Sequence, residues 1–202
     1  MRIVAIFLAF LLVASCGGST RSYDPGTVAA TPAGLDTLCG DRRLKGYRHP
    51  DVRNGACGIN NPVEVHYVNG VRLTTPALLN CGTARELAGW VDNKAEPILG
   101  RIEALRVAAS YACRTRNSQS GGRISEHAKG NAIDISAFIL PGDETITVLD
   151  GWGSRKYGRT LRRLHRSACG PFGTVLGPEA DRFHQDHFHF DTASYRGGPF
   201  CQ

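Results

Sequence analysis

Residues 63–73 read Val63-Glu64-Val65-His66-Tyr67-Val68-Asn69-Gly70-Val71-Arg72-Leu73. Val63, Val65 and Tyr67 alternate with Glu64 and His66, the two-residue period of a strand with one buried face. Asn69-Gly70 then favours the positive φ angles of a tight hairpin turn before Val71 and Leu73. Antiparallel pairing is therefore expected in this part of the fold. Downstream, Thr75-Pro76 predicts a helix start, since a proline in the first turn gives up no helical hydrogen bond. Leu78, Leu79, Ala84, Leu87, Ala88 and Val91 extend it as an apolar stripe, and Pro97 and Gly100 end or kink it. Residues 102–111 suit a strand, 117–122 a polar loop, 132–140 a second strand closed by Pro141-Gly142, and 146–149 a third. A basic amphipathic helix is expected over 154–168, carrying Tyr157, Leu161, Leu164 and His165, and a last short strand over 188–191. The pattern predicts an α+β domain: a small antiparallel sheet flanked by helices.

The chain opens Met1-Arg2, runs apolar from Ile3 to Ala14 and meets Ser15-Cys16. That is the layout of an export signal over residues 1–15, too short to span a bilayer. Val13-Ala14-Ser15-Cys16 resembles a bacterial lipobox, which implies a lipid on Cys16. The residue after Cys16 is glycine, not aspartate; by resemblance to such lipoproteins this favours the outer membrane and a periplasmic domain. Residues 16–35 are rich in Gly, Ser, Thr, Ala and Pro and read as a flexible tether, leaving 36–202 as one domain with its own core. Apart from Cys16, six cysteines remain: Cys39, Cys57, Cys81, Cys113, Cys169 and Cys201. An even number in an exported chain predicts three disulfides, and the absence of a C-x-x-C pair argues against a cysteine zinc site. Proximity in sequence pairs Cys39 with Cys57 and Cys169 with Cys201, leaving Cys81 with Cys113.

The formal charge is +6. Lys and Arg are scattered along the chain, and an exported protein rarely meets nucleic acid, so nucleic acid is not an expected partner. A mildly basic surface suits an anionic polymer such as peptidoglycan.

Two segments carry chemistry. One is Ser125-Glu126-His127-Ala128-Lys129-Gly130-Asn131-Ala132-Ile133-Asp134; the other is His184-Gln185-Asp186-His187-Phe188-His189-Phe190-Asp191. Imidazole and carboxylate are ligands that suit Zn²⁺, and a catalytic site keeps three of them plus an open position. His127 and Asp134 flank the Gly130-Asn131 turn and can converge on one point. A third ligand must come from the second segment, where His187 and His189, two apart on a strand, face the same side. One of these can bind metal while the other acts as acid or base. The constellation reads as a metal-dependent hydrolase.

The first segment matches the S-x-H-x-x-G-x-A-x-D signature of zinc D-Ala-D-Ala peptidases and related murein endopeptidases, and the downstream H-x-H completes that pattern. The wider chain resembles the bacterial extensin-like C-terminal domain family, through Cys57-Gly58-Ile59, Ser110-Tyr111-Ala112-Cys113-Arg114, Ser125-Glu126-His127-Ala128, Thr174-Val175-Leu176-Gly177-Pro178 and the His184–Asp191 stretch. The peptidase resemblance implies His127, Asp134 and His189 as zinc ligands. It leaves two candidates for the base. In one branch a carboxylate stands three residues before the last ligand, here Asp186. In the penicillin-insensitive branch the histidines stand as H-x-x-H-x-H, here His184, His187 and His189. Asp186 is preferred, with His187 holding or protonating the substrate. Arg114 resembles the arginine that stabilises the oxyanion. Ser125 binds a substrate carboxylate or caps its loop, and His184 contacts substrate or supports a ligand; Asp191, Trp90 and Trp152 read as structural. The resemblance implies a zinc peptidase cutting amide bonds in peptidoglycan cross-links. The alternatives are a non-catalytic, metal-containing wall-binding or scaffolding lipoprotein and a zinc carrier.

Overall fold

The computed structural model describes residues 33–202. The expected signal at 1–15, Cys16 and the tether up to residue 32 lie outside the described residues. Twelve strands follow in chain order: β1 (Asp36–Thr37), β2 (Leu44–Arg48), β3 (Val52–Asn54), β4 (Cys57–Ile59), β5 (Val63–Val68), β6 (Val71–Leu79), β7 (Ala104–Ala109), β8 (Ala132–Ile139), β9 (Thr145–Thr147), β10 (Thr174–Leu176), β11 (Phe188–Asp191) and β12 (Phe200–Cys201). Four α-helical segments join them: α1 (Cys81–Trp90), α2 (Glu96–Leu99), α3 (Val148–Gly151) and α4 (Gly158–Ala168), with a π turn Val91–Ala95 between the first two.

Ten strands form one sheet in the order β1-β2-β5-β6-β7-β8-β11-β10-β12, with β9 beside β8; β3 and β4 make a separate ribbon. The sheet is mixed, because β6 pairs parallel with β7 across the α1–α2 crossover and β10 pairs parallel with β12. The expected small antiparallel sheet flanked by helices is therefore wrong: the fold is a large mixed sheet with few helices. The extra strands β1, β3, β4, β10 and β12 are two or three residues long, too short to show a period in sequence. The span from Cys39 to Cys57, loop-like in composition, also holds β2.

The hairpin at Asn69-Gly70 forms as read, with Val68 opposite Val71 and both turn residues at positive φ. The helix start at Thr75-Pro76 does not form. Both residues lie within β6, and Pro76 falls where the register against β5 slips, between the Tyr67–Arg72 and Val65–Ala77 pairs. A strand accepts proline at such an irregularity because the missing N–H breaks no ladder bond. The helix opens instead after Asn80, whose Oδ1 accepts from Thr83 N at 2.8 Å. Of the strand expected over 146–149, only Ile146 and Thr147 lie in β9; Val148 and Leu149 open α3, where Thr147 Oγ1 accepts from Asp150 N.

The core lies between one face of the sheet and the helices. Trp90, Leu87, Leu161 and Leu164 bury themselves against Phe138, Phe172, Phe188 and Phe190. The disulfides are Cys39–Cys81, Cys57–Cys113 and Cys169–Cys201. Only the last agrees with pairing by proximity; folding brings β4 to the segment after β7, and residue 39 to the start of α1.

Candidate metal centre and its cleft

Asp134 and His189 stand directly opposite each other on the adjacent antiparallel strands β8 and β11. Cross-strand partners share a face of the sheet, so these two side chains meet without any loop to place them. Ile133, Ile135, Phe188 and Phe190 alternate with them and point into the core. His127 arrives from the short 3₁₀ turn Glu126–Lys129, which Ser125 caps by accepting from His127 N. Gly130 ends that turn at φ +67°, and a Cβ there would meet Ile59 Cδ1 at 2.5 Å and Asn80 N at 2.9 Å. Only glycine lets the chain pass so close to β4 and the start of α1. The turn is further fixed by Asn80 N donating to Gly130 O at 2.9 Å, by Asn80 Nδ2 donating to Asn131 Oδ1, and by Asn131 Nδ2 donating to Glu126 Oε2 at 2.7 Å.

Three atoms converge. His127 Nε2 lies 3.1 Å from His189 Nδ1 and 3.2 Å from Asp134 Oδ1, and His189 Nδ1 lies 2.9 Å from the same oxygen. The outer nitrogens fix the tautomers. His127 Nδ1 meets a carbonyl, Ser110 O, at 2.5 Å and must donate to it. His189 Nε2 meets Asp191 Oδ2 at 3.1 Å and donates in turn. Neutral imidazoles in these tautomers turn two bare nitrogens and a carboxylate oxygen toward one another. All three side chains are buried. Facing lone pairs repel unless a cation or a proton stands between them, and this is the donor chemistry of a metal site with its carboxylate–histidine support in place. Among the described residues, His127, Asp134 and His189 form the one group of this kind. Without metal, a proton takes that role. Burial opposes a charge on His189, but Asp134 and Asp191 outweigh it and raise its pKa to about 9. Burial also opposes ionisation of Asp134, and its interactions with His127 and His189 overcome it, holding its pKa well below the usual carboxylate range.

The triangle sits at the floor of a cleft of about 860 Å³. Arg114, Ser125, His184 and His187 line it together with the three donors. Asp186 does not: it is largely exposed and its Oδ1 accepts from His187 Nδ1 at 2.8 Å. His187 Nε2 turns inward, 3.6 Å from Asp134 Oδ2. Of the two candidates for the base, His187 lines the cleft and Asp186 does not. His187 stands just before β11 on the face of His189, as strand alternation requires, and Asp186 on the opposite side orients it. His184 Nδ1 pairs with Asp181 Oδ1 at 2.7 Å, and its ring lies beside those of His187 and His189. Burial lowers the His184 pKa despite Asp181. Arg114 is half-buried in the cleft wall, next to the Cys57–Cys113 bridge, and among the described residues no carboxylate pairs with its guanidinium.

Sequence reading missed three parts of the site. The carbonyl of Ser110 carries no side-chain signal. Asp181 supports His184 from outside the motif. The C-terminal segment forms a wall through Tyr195 and residues 197–200, held by the Cys169–Cys201 bridge and by Tyr195 Oη to Thr174 Oγ1 at 3.2 Å. Asp191, read as structural, is the hydrogen-bond support of His189.

Fold and cleft together define a disulfide-bonded, mixed-sheet domain with a buried His–Asp–His cluster of the kind able to hold a metal ion. Residues 38–202 match the family described as extensin-like protein C-terminus, and the chain belongs to that family. No curated protein and no solved structure matches the chain.

Proposed function

We propose that this domain is a zinc-dependent hydrolase that cuts amide bonds in the peptide cross-links of peptidoglycan. The observation that carries the reading is the triangle of lone pairs at the cleft floor. Its edges of 2.9–3.2 Å approach the separation of about 3.3 Å that two donors adopt on tetrahedral zinc. A bound zinc ion would supply a Lewis acid and ionise water near neutral pH.

The chain's own groups supply the rest. His187 Nε2 is bare when Nδ1 donates to Asp186, so it takes a proton from the attacking water and returns it to the leaving amine. Asp186 keeps the ring in that tautomer and steadies the imidazolium. Arg114, with no carboxylate partner, is free to donate to the carbonyl oxygen as it gains negative charge. His184, held by Asp181, packs beside His187 and restricts its swing. The choice of peptidoglycan rests on the export and lipobox readings and on the resemblance of Ser125–Asp134 and His184–His189 to the murein peptidases; a periplasmic place beneath the outer membrane belongs to the same proposal.

The test is incubation of the protein with peptidoglycan sacculi, with and without a chelator, reading muropeptides by mass. Loss of cross-linked dimers that chelation stops and zinc restores supports the reading and identifies the bond. An unchanged muropeptide profile with zinc firmly bound would favour a wall-binding or scaffolding role.

A further inference from the structure

The exposed face of α4 is a row of arginines. Arg159, Arg163 and Arg166 stand at i, i+4 and i+7, and Arg155 prolongs the row through the preceding turn; all four are exposed. The opposite face, with Leu161, Leu164 and Ala168, is buried. Glu179 pairs with Arg162 and Glu144 with Lys156. Among the described residues no carboxylate pairs with any of the four in the row. No Asp or Glu occurs between Asp150 and Glu179, and that stretch holds six cations, equal to the formal charge of the whole chain. The basic helix read from the sequence thus presents its unpaired cations as one patch.

The patch lies on the side of the sheet away from the cleft. His165 of α4 packs its ring 5.3 Å from Phe188, and Phe188 points opposite to His189. We propose that this arginine face seats the domain on an anionic phospholipid surface, with the cleft turned outward from it. Guanidinium groups match phosphate oxygens with paired donors. The three arginines on the helix span about 10 Å along its axis and meet a flat array of headgroups together. With the proposed lipid on Cys16, residues 17–35 can hold the domain no farther than roughly 65 Å from the bilayer. The inference uses that anchored reading to choose a membrane over other polyanions, and it is independent of hydrolysis.

The test uses the chain with Cys16→Ser, so that no acyl chain contributes. Its co-sedimentation is measured with vesicles of phosphatidylglycerol and phosphatidylcholine and with vesicles of phosphatidylcholine alone. Binding is expected to the anionic vesicles only, and to weaken as salt rises. Arg159→Gln with Arg163→Gln should weaken it roughly 30-fold, while the paired lysine substitutions retain most of it. Zinc content should be the same in every variant, which separates loss of docking from loss of fold. Equal binding to neutral vesicles, or unchanged binding by the glutamine variant, would overturn the proposal. So would arginine-dependent retention on sacculi that exceeds retention on vesicles, which would give this face to an anionic wall polymer. A chain that docks on vesicles yet cuts no amide bond leaves the proposal standing and removes only the hydrolase reading.

Discussion

On one face of β11, Phe188 and Phe190 fill the core among Trp90, Phe138 and Phe172; on the other, His189 and Asp191 stand in a cleft beside Asp134. The backbone is the same four residues, and alternation alone separates the two environments. On the core face the energy comes from volume and area, so what matters is how well each ring is filled around. On the cleft face burial works against the charged groups, and each is tolerated only because a named atom faces it. The core face should therefore govern whether the chain folds, and the cleft face what the folded chain holds.

The sharpest way to break that division is His189→Ala or His127→Ala. Each is expected to abolish metal binding and amide hydrolysis while circular dichroism remains that of the folded chain. Collapse of the fold instead would make the two faces one cooperative unit. Phe190→Ala should do the converse, costing about 3–5 kcal/mol in urea unfolding under oxidising conditions, while the molecules that stay folded still take up metal.

The cleft face was the more legible in sequence, for a physical reason. Ligand chemistry restricts residue type, so the 125–134 segment and the alternating His187 and His189 stand out, while Asp191 read only as structural. Long alternating strands such as β5 and β8 were legible in the same way. The two- and three-residue strands were not, because their pairing depends on neighbours remote in sequence, and neither were two of the three disulfides. Pro76 misled because a proline marks a helix start and a strand irregularity equally well, and only tertiary pairing decides between them. Asp186 and His187 are adjacent, so residue type alone left both open as the base; the fold turns His187 into the cleft and leaves Asp186 outside its lining.

Finer substitutions grade the cleft itself. His187→Ala should leave zinc bound and slow turnover by about 10²–10⁴, measured on cross-linked muropeptides, with Asp186→Ala giving a smaller loss. An equal or larger loss in Asp186→Ala would return the base to the carboxylate. Asp191→Ala should weaken zinc binding by about 10–100-fold, since it removes the acceptor that orients His189 without removing a ligand; an unchanged dissociation constant in a metal-competition assay would leave Asp191 with packing alone.

The smallest effect concerns protons. In the metal-free protein His189 titrates at about 9, above its usual 6.5. Its charged form therefore stabilises the fold fully below the usual imidazole range, and that contribution is lost as pH rises through about 9. Metal must displace this proton. Near pH 7, binding should release about one proton per ion, and affinity should climb with pH until about 9. Calorimetry in buffers of different ionisation enthalpy measures the release; none would mean that the triangle is proton-free before metal arrives.

The most direct test of the account is equilibrium dialysis of the protein against Zn²⁺, with bound metal counted by mass spectrometry in the wild type, His127→Ala and His189→Ala. One zinc per chain in the wild type, and none retained by either variant, is the result predicted from the converging lone pairs. The same metal content in all three proteins would contradict it.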